Sequence, residues 1–416
     1  MRKKIVGILI CMLLIGAIVS VVNSVSACTG FTASEGDNIL VGANHDWTPN
    51  FNVYMHTFPA GEGKYGRVIF EFNFPYLVEP YPYDPDYIVP KQGMNDQGLY
   101  FDLLYAPDLL PVNSSDKPLF DSNDPDYYQF AFWAYCLAKC SNVSEVLDVF
   151  DQYNLEGMSF IQIFCVDKYG DSVIIEGDDI IYREGDFQVV TNFLQSHPEL
   201  GGYPCNRYDT AVSMLENMTD LSNEYFRSIC SATHQKSTVF SNVYDLTHGI
   251  FYANYYKNYD KTLGFDLNEE LAKGEQKIHL GSLFEPDDNK PPEKPAAPTG
   301  EIYGNSRVDY DYAAKTTDPN GDDIMYLFDW GDGSNSVWMK PGVFGISKAT
   351  HNWTVKGTYM IKVKAIDPYG AESEWSDPLE VTMPKNKAAE YIILSWFFEK
   401  LIQCFPFMVK ILNQIL

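Results

Sequence analysis

Cys28 directly follows Val25-Ser26-Ala27, small residues that close a long apolar stretch. Small residues at that place are what signal peptidase cuts behind. Cleavage there makes Cys28 the first residue of the mature chain, with a free α-amino group of reference pKa about 7.7–8.0. That amine reaches its own sulfur directly or through one water. It can accept the thiol proton and later deliver a proton to a leaving amine. Nucleophile and base are then one residue, and no separate histidine is required. This suits a chain with 7 His and no obvious Cys/His/Asn arrangement. The tetrapeptide Val25-Ser26-Ala27-Cys28 also fits a lipoprotein processing site. There Cys28 would be acylated and act only as an anchor. On those four residues alone the two readings are even.

Four further motifs break the tie. Cys28-Thr29-Gly30-Phe31, Gly42-Ala43-Asn44-His45-Asp46-Trp47, Gly93-Met94-Asn95-Asp96-Gln97-Gly98-Leu99 and Thr191-Asn192 occur in that order. The series resembles the linear-amide C–N hydrolases, which belong to the N-terminal-nucleophile hydrolases. That family contains choloylglycine (bile-salt) hydrolases, penicillin V acylases and the acyltransferase that makes penicillins. The block Glu62-Gly63-Lys64-Tyr65-Gly66-Arg67-Val68 is similar to the branch named for that acyltransferase and for carcinine hydrolase. The resemblance covers roughly residues 28–280. One such motif is weak, but four in order behind a candidate N-terminal cysteine are specific.

The resemblance implies an α+β fold, the four-layer αββα sandwich of N-terminal-nucleophile hydrolases. It implies an exported cysteine-dependent hydrolase of linear, non-peptide C–N amide bonds, working on a small N-acyl amide through a thioester. It implies no cofactor and no metal. Cys28 matches the nucleophile, and Asp46 the aspartate that holds its amine and thiol in place. Asn192 matches the asparagine whose side-chain N–H donates to the tetrahedral oxyanion. Tyr105 falls where the backbone N–H completes the oxyanion hole. Two other readings stay open: an acyltransferase on the same scaffold, and a lipid-anchored, non-catalytic surface protein.

The pattern departs from the family at Ala43. Bile-salt hydrolases and penicillin V acylases carry Arg there, so bile-salt specificity does not carry over. Their later catalytic Arg has no firm counterpart. Arg207 and His234 are the candidates for substrate or support roles, and Asn95 is a third. Each site residue also has a blander reading. Asp46 before Trp47-Thr48-Pro49 suits a turn or cap. Asn192 could cap a loop, and Asn95 more readily orders its loop than reacts. His45 reads better as a hydrogen-bonded structural histidine than as a base. The aromatic run Phe70–Tyr87 covers either a substrate or the core.

The elements that position these residues follow from periodicity. Phe31–Ala33 and Ile39–Asn44 read as a hairpin around the turn-rich Glu35-Gly36-Asp37-Asn38. Arg67–Phe74, Leu99–Tyr105, Phe160–Asp167, Ser172–Glu176 and Gln188–Thr191 read as strands. Thr238–Leu246 and Gly249–Tyr255 read as a second hairpin. Tyr127–Cys140, Ser144–Tyr153 and Tyr208–Met218 carry apolar residues at helical spacing. Strand blocks with helices between them suit a layered α+β domain over residues 28–284.

The rest of the 416 residues frames this domain. Residues 1–27 read as a signal peptide, with Arg2-Lys3-Lys4 before the apolar run, so the protein is expected to be secreted or on the extracellular cell surface. Of 8 Cys, the one at 11 goes with that peptide, and the odd number left keeps at least one thiol out of intramolecular pairing. A net charge of −26 repels phosphate backbones and excludes nucleic acid as a partner. Glu285–Thr299 is a proline-rich linker, extended and poor at packing. Residues 300–384 have the short strands and close-set turns of an all-β, immunoglobulin-like sandwich. Asp329-Trp330-Gly331-Asp332-Gly333, His351-Asn352-Trp353 and Lys356-Gly357-Thr358-Tyr359 resemble PKD-type modules of surface proteins. Asp318, Asn320, Asp322 and Asp323 could hold Ca²⁺, although a solvated acidic turn explains them better. The tail, 385–416, is apolar, with Glu399, Lys400, Lys410 and Pro406 interrupting it. Residues 300–416 are the expected route to a membrane surface or cell wall.

Overall fold

The computed structural model describes residues 28–46, 53–73, 88–105, 117–118, 132–153 and 161–383. The expected signal peptide, most of the aromatic run Phe70–Tyr87 and the apolar tail lie outside the described residues. Two compact units divide the chain, Met1–Pro286 and Asp287–Leu416.

The strands of the first unit are β1 (Thr29–Glu35), β2 (Asn38–Asp46), β3 (Val53–Phe58), β4 (Arg67–Asn73), β5 (Ile88–Asn95), β6 (Leu99–Tyr105), β7 (Ile161–Asp167), β8 (Ser172–Glu176), β9 (Asp179–Tyr182), β10 (Phe187–Val190), β11 (Thr238–Asp245), β12 (Ile250–Tyr255), β13 (Asn258–Asp266) and β14 (Gln276–His279). Its helices are α1 (Phe132–Lys139), α2 (Val143–Phe150), α3 (Asn206–Glu216), α4 (Asn223–Thr233) and α5 (Leu267–Ala272). One sheet has six strands in the order β10-β1-β2-β11-β12-β13, the other eight in the order β14-β3-β4-β5-β6-β7-β8-β9. The unit is mostly sheet, and its two sheets form a sandwich.

Each sheet is covered on both faces. Ile69, Phe101, Leu103 and Ile163 of the larger sheet pack with Phe132 and Leu137 of α1 and Val146 of α2. Phe31, Leu40, Val189 and Val243 of the smaller sheet pack with Leu215 of α3 and Phe226 and Ile229 of α4. The opposite faces meet through aromatic rings. Phe70 lies 5.6 Å from Phe240, and Tyr100 lies 4.8 Å from Tyr244, between ring centres. Strands covered on both faces lose the in–out alternation. Accordingly β2 is buried without a break from Ile39 to Asp46.

The first hairpin is longer than the sequence suggests. Its ladder runs from Glu35↔Asn38 to Thr29↔Asn44, which puts Cys28 just past one end and Asp46 at the other strand's end. Asp46 is strand, not turn. Helix α4 is absent from the elements read off the sequence, as are β3, β5, β9, β13 and β14. Ser222 does cap α4, accepting from the Tyr225 N–H at 3.3 Å, and Phe226, Ile229, Cys230 and Thr233 make one buried face.

The second unit is a small β-sandwich of two three-stranded sheets. Strands β15 (Thr299–Gly300), β16 (Tyr310–Lys315) and β18 (Ile346–His351) form one sheet, and β17 (Met325–Asp329), β19 (Gly357–Ile366) and β20 (Leu379–Met383) the other. Tyr312, Tyr326, Phe328, Trp330, Trp353, Ile361 and Val363 fill its core. The expected linker does not behave as one from Asn289 onward. Pro292, Pro295 and Pro298 are buried, every third residue, which is the period of polyproline II. The Glu293 N–H donates to Thr317 O at 2.9 Å, and Lys290 N–H to Asn320 Oδ1 at 2.8 Å. The segment is part of the sandwich because that period gives it one apolar edge. Asp318 Oδ1 accepts the Asn320 and Asp322 N–H groups, the geometry of an acidic turn. No group of three candidate ligands among the described residues is placed to hold a metal ion.

Candidate active site

The register of β1 and β2 builds the site. Thr29 pairs with Asn44, so Cys28, the next residue out, stands opposite His45 on the face turned toward the larger sheet. Cys28 is 1% exposed. Its Sγ lies 3.8 Å from His45 Nδ1 and 3.9 Å from the Asp46 carbonyl oxygen. Gly30 lies on the same face. A Cβ there would stand 3.1 Å from Phe164 and 3.5 Å from Asp102 Oδ2, so glycine lets the sheets approach and leaves room for that carboxyl. Burial, and then the charges of Asp46 and Asp102, push the Cys28 thiol up to about 12.

Asp46 is fully buried. Its Oδ1 accepts a short hydrogen bond from Thr238 Oγ1, which is held in turn by the Gln235 N–H at 2.7 Å. Burial raises the carboxyl to about 7, against the lowering effects of the Thr238 bond and of Arg207 and Lys257. Thr238 is placed by a ladder irregularity between Thr238 and Phe240.

Arg207, in the first turn of α3, joins the two halves of the site. Its Nη1 donates to the Cys28 carbonyl oxygen and, at 2.8 Å, to Thr29 Oγ1. Its Nη2 donates to Asn192 Oδ1 at 3.2 Å. Asn192 Nδ2 donates to the Tyr105 carbonyl oxygen at 2.8 Å. Cys28, Arg207, Asn192 and Tyr105 therefore form one connected chain of contacts, although they come from four separate stretches of sequence. A network below fixes Asn192. The buried Glu176 carboxylate accepts the Gln195 and Ser196 N–H groups at 3.0 and 2.9 Å, Ser196 Oγ at 2.6 Å and Gln162 Nε2 at 2.6 Å. Gln162 Nε2 also donates to Phe193 O at 2.9 Å.

Two of the support candidates are used elsewhere. Asn95 donates to Leu137 O and Cys140 O and accepts from the Gln97 and Leu99 N–H groups. All of that ties the β5–β6 turn to the end of α1. His234 caps the end of α4, exposed, with Nδ1 2.6 Å from Ser231 O and its ring beside Tyr259. His45 is the hydrogen-bonded histidine that its sequence context suggests, with Nδ1 against the Cys28 sulfur, and ring packing holds it as well. Its ring stacks on Phe240 and lies beside Phe72, at 5.1 and 5.4 Å between centres, and its buried Nε2 has no hydrogen-bond partner among the described residues.

Lys91 and Asp102 escape the motif reading altogether. The β4–β5 ladder steps from Phe70↔Gln92 to Glu71↔Pro90, which leaves Lys91 as the extra residue of a β-bulge. Burial lowers its ammonium, and its charge counters the rise of the Cys28 thiol and of Asp102. The one sequence signal is Pro90, since proline inside a strand marks an edge or a bulge. Asp102, on β6, is fully buried and lies 3.9 Å from His45 Nδ1. Burial holds its carboxyl up at about 7.

No protein-family model matches the chain, and no curated protein matches it. Solved structures do. The C-terminal part is similar to the PKD domain of an M14-like peptidase from Thermoplasmatales archaeon SCGC AB-540-F20. The identity is 46% over 23% of this chain and 99% of that domain, with a TM-score of 0.22. Two variants of conjugated bile acid hydrolase from Clostridium perfringens are each 17% identical and cover 60% of this chain and 96% of their own, with TM-scores of 0.44 and 0.43.

Proposed function

We propose that this protein is an exported N-terminal-nucleophile amidase that cleaves a linear C–N bond in an N-acyl compound, with Cys28 as nucleophile. The observation that carries this reading is Arg207. One guanidinium touches the backbone of Cys28 and the side chain of Asn192, so the residue behind the cleavage signal and the expected oxyanion donor share one site. The two covered sheets correspond to the four-layer αββα sandwich of that class, and the second unit to an immunoglobulin-like PKD module of a surface protein.

Removal of residues 1–27 frees the Cys28 amine. Asp46, beside it, favours the ammonium form and fixes its direction. The amine takes the Sγ proton, and the thiolate attacks the acyl carbon. The developing oxyanion receives an N–H from Asn192 and the backbone N–H of Tyr105. The ammonium gives its proton to the leaving nitrogen, the C–N bond breaks, and a thioester remains. Water, deprotonated by the same amine, then attacks the thioester. The acid leaves and the thiol is restored.

A lipid anchor fits the site poorly. The Cys28 sulfur is buried and faces the larger sheet, in contact with His45 and the Asp46 carbonyl, a setting that suits a reacting thiol better than a lipid carrier. The deciding experiment is intact-mass and N-terminal analysis of the exported protein, followed by a screen of N-acyl amino acids, bile-salt conjugates and penicillin V. The expected result is a start at unmodified Cys28 and amide hydrolysis that disappears in Cys28→Ala. A start elsewhere, a lipid on Cys28, or undiminished hydrolysis in that variant overturns the reading.

A further inference from the structure

The site contains a residue that the scheme above does not use. His45 stands across from Cys28, fixed in orientation by Phe72 and Phe240. A neutral imidazole has one N–H and one bare nitrogen. Burial, and then the Lys91 charge, hold His45 well below its ordinary range, so it stays neutral. On Nε2 the proton would face no acceptor among the described residues, and buried N–H groups without acceptors are rare. On Nδ1 it faces Cys28 Sγ at 3.8 Å and Asp102 Oδ1 at 3.9 Å. The first is within reach of an N–H donating to sulfur. The second is too long for a hydrogen bond, but a carboxyl there still favours a proton on that nitrogen.

We propose that His45 is a positioning residue whose Nδ1–H donates to the Cys28 thiolate, while Asp102 selects that tautomer. The proton of the thiol goes to the α-amine, as above, and the imidazole stays neutral throughout. This rests on Cys28 being the nucleophile. It answers a need of this particular pocket. Two carboxyls, Asp46 and Asp102, face the sulfur and oppose its negative charge, and burial opposes it further. Tyr100 and Tyr244 border Asp102, Lys91 is a cation whose charge acts on the Cys28 sulfur, and Arg207 binds the Cys28 backbone. A hydrogen bond to the sulfur supplies what charge alone leaves short. The side chain does not act as a base, because Nδ1 serves as the donor and Nε2 faces away.

The test is the pH dependence of iodoacetamide alkylation at Cys28, followed by mass spectrometry in the mature protein. His45→Phe keeps the ring stack and deletes the donor. Its alkylation midpoint should move up by about 1–2 pH units, the worth of a hydrogen bond to a charged acceptor. His45→Asn places an amide N–H near the Nδ1 position and should recover most of that shift. An unchanged midpoint in His45→Phe, or an equal shift in both variants, overturns the proposal. Nitrogen-15 spectra of the wild-type histidines give a reading independent of any variant. Protonated Nδ1 at His45 supports the proposal, and protonated Nε2 overturns it. If Cys28→Ala retained hydrolysis, the amidase reading would fall, while the tautomer and the alkylation shift would still report on His45.

Discussion

Glu176→Gln should damage both stability and turnover, because one buried carboxylate holds the loop that carries Asn192. Each oxygen of Glu176 accepts two donors: Gln162 Nε2 and the Gln195 N–H on one, the Ser196 N–H and Oγ on the other. An amide in its place turns one of those oxygens into an NH₂ group pointing at donors. Two hydrogen bonds to a charged acceptor are lost, each worth about 1.5–3 kcal/mol. The expected destabilisation is therefore about 3–6 kcal/mol, or a fall in Tm of roughly 10 °C for a domain of this size. The 191–196 loop would loosen with Asn192 on it. Turnover should then fall by about tenfold to a hundredfold, short of the value of a whole oxyanion donor, with KM little changed. Thermal unfolding and steady-state hydrolysis measure the two. A variant with wild-type Tm and wild-type kcat would refute the claim that Glu176 positions Asn192.

On the proposed mechanism Asn192→Ala removes the oxyanion donor itself, and kcat should fall by about 10²–10³, read by steady-state kinetics on any substrate the screen finds. Asp102 has a folded value raised to about 7 against an unfolded value of about 3.9. The fold thus holds a proton that the unfolded chain releases, and stability from this group falls as pH rises from about 4 to about 7 and is gone above that. In Asp102→Asn that part of the slope should vanish, so urea unfolding should show the variant gaining on the wild type as pH rises from 4 to 8. A parallel pair of curves would count against the raised titration of this buried carboxyl. Gly42→Ala would place a Cβ 2.3 Å from the Phe31 ring, and chemical unfolding should show a loss of about 1–3 kcal/mol.

Much of the fold was legible in the sequence, for reasons that also explain the gaps. The Glu35–Asn38 turn and the apolar runs beside it place β1 and β2, and with them Cys28 and Asp46. Helices α1, α2 and α3 show apolar spacing on one face. Strands such as β13, whose residues are nearly all partly exposed, lack both the alternation and the continuous apolar run that mark a strand. β5 is interrupted by Pro90 and a bulge, so its periodicity breaks at Lys91. The proline run reads as a free spacer in the sequence because composition alone cannot separate such a spacer from a polyproline segment docked on a sheet.

The site divides along the same line. Motif order picks out Cys28, Asp46 and Asn192 as candidates, and the fold places them near one another, with Arg207 touching both Cys28 and Asn192. Their electrostatics were not legible, because Lys91 and Asp102 reach the sulfur across a sheet-to-sheet interface that no local pattern encodes. Ala43 illustrates this. Read alone, it removes the arginine of related sites and leaves the thiolate without a cation. In the fold, Ala43 pairs with Gly30, and the region they border also receives Asp102 from β6 and the charge of Lys91 from the β5 bulge. A cation at this site therefore need not come from β2. If Lys91 fills that role, then Lys91→Met should raise the alkylation midpoint of Cys28, and restoring a cation through Ala43→Arg in that background should lower it again. A second substitution that left the midpoint where Lys91→Met had put it would show that the two positions do not serve the same sulfur.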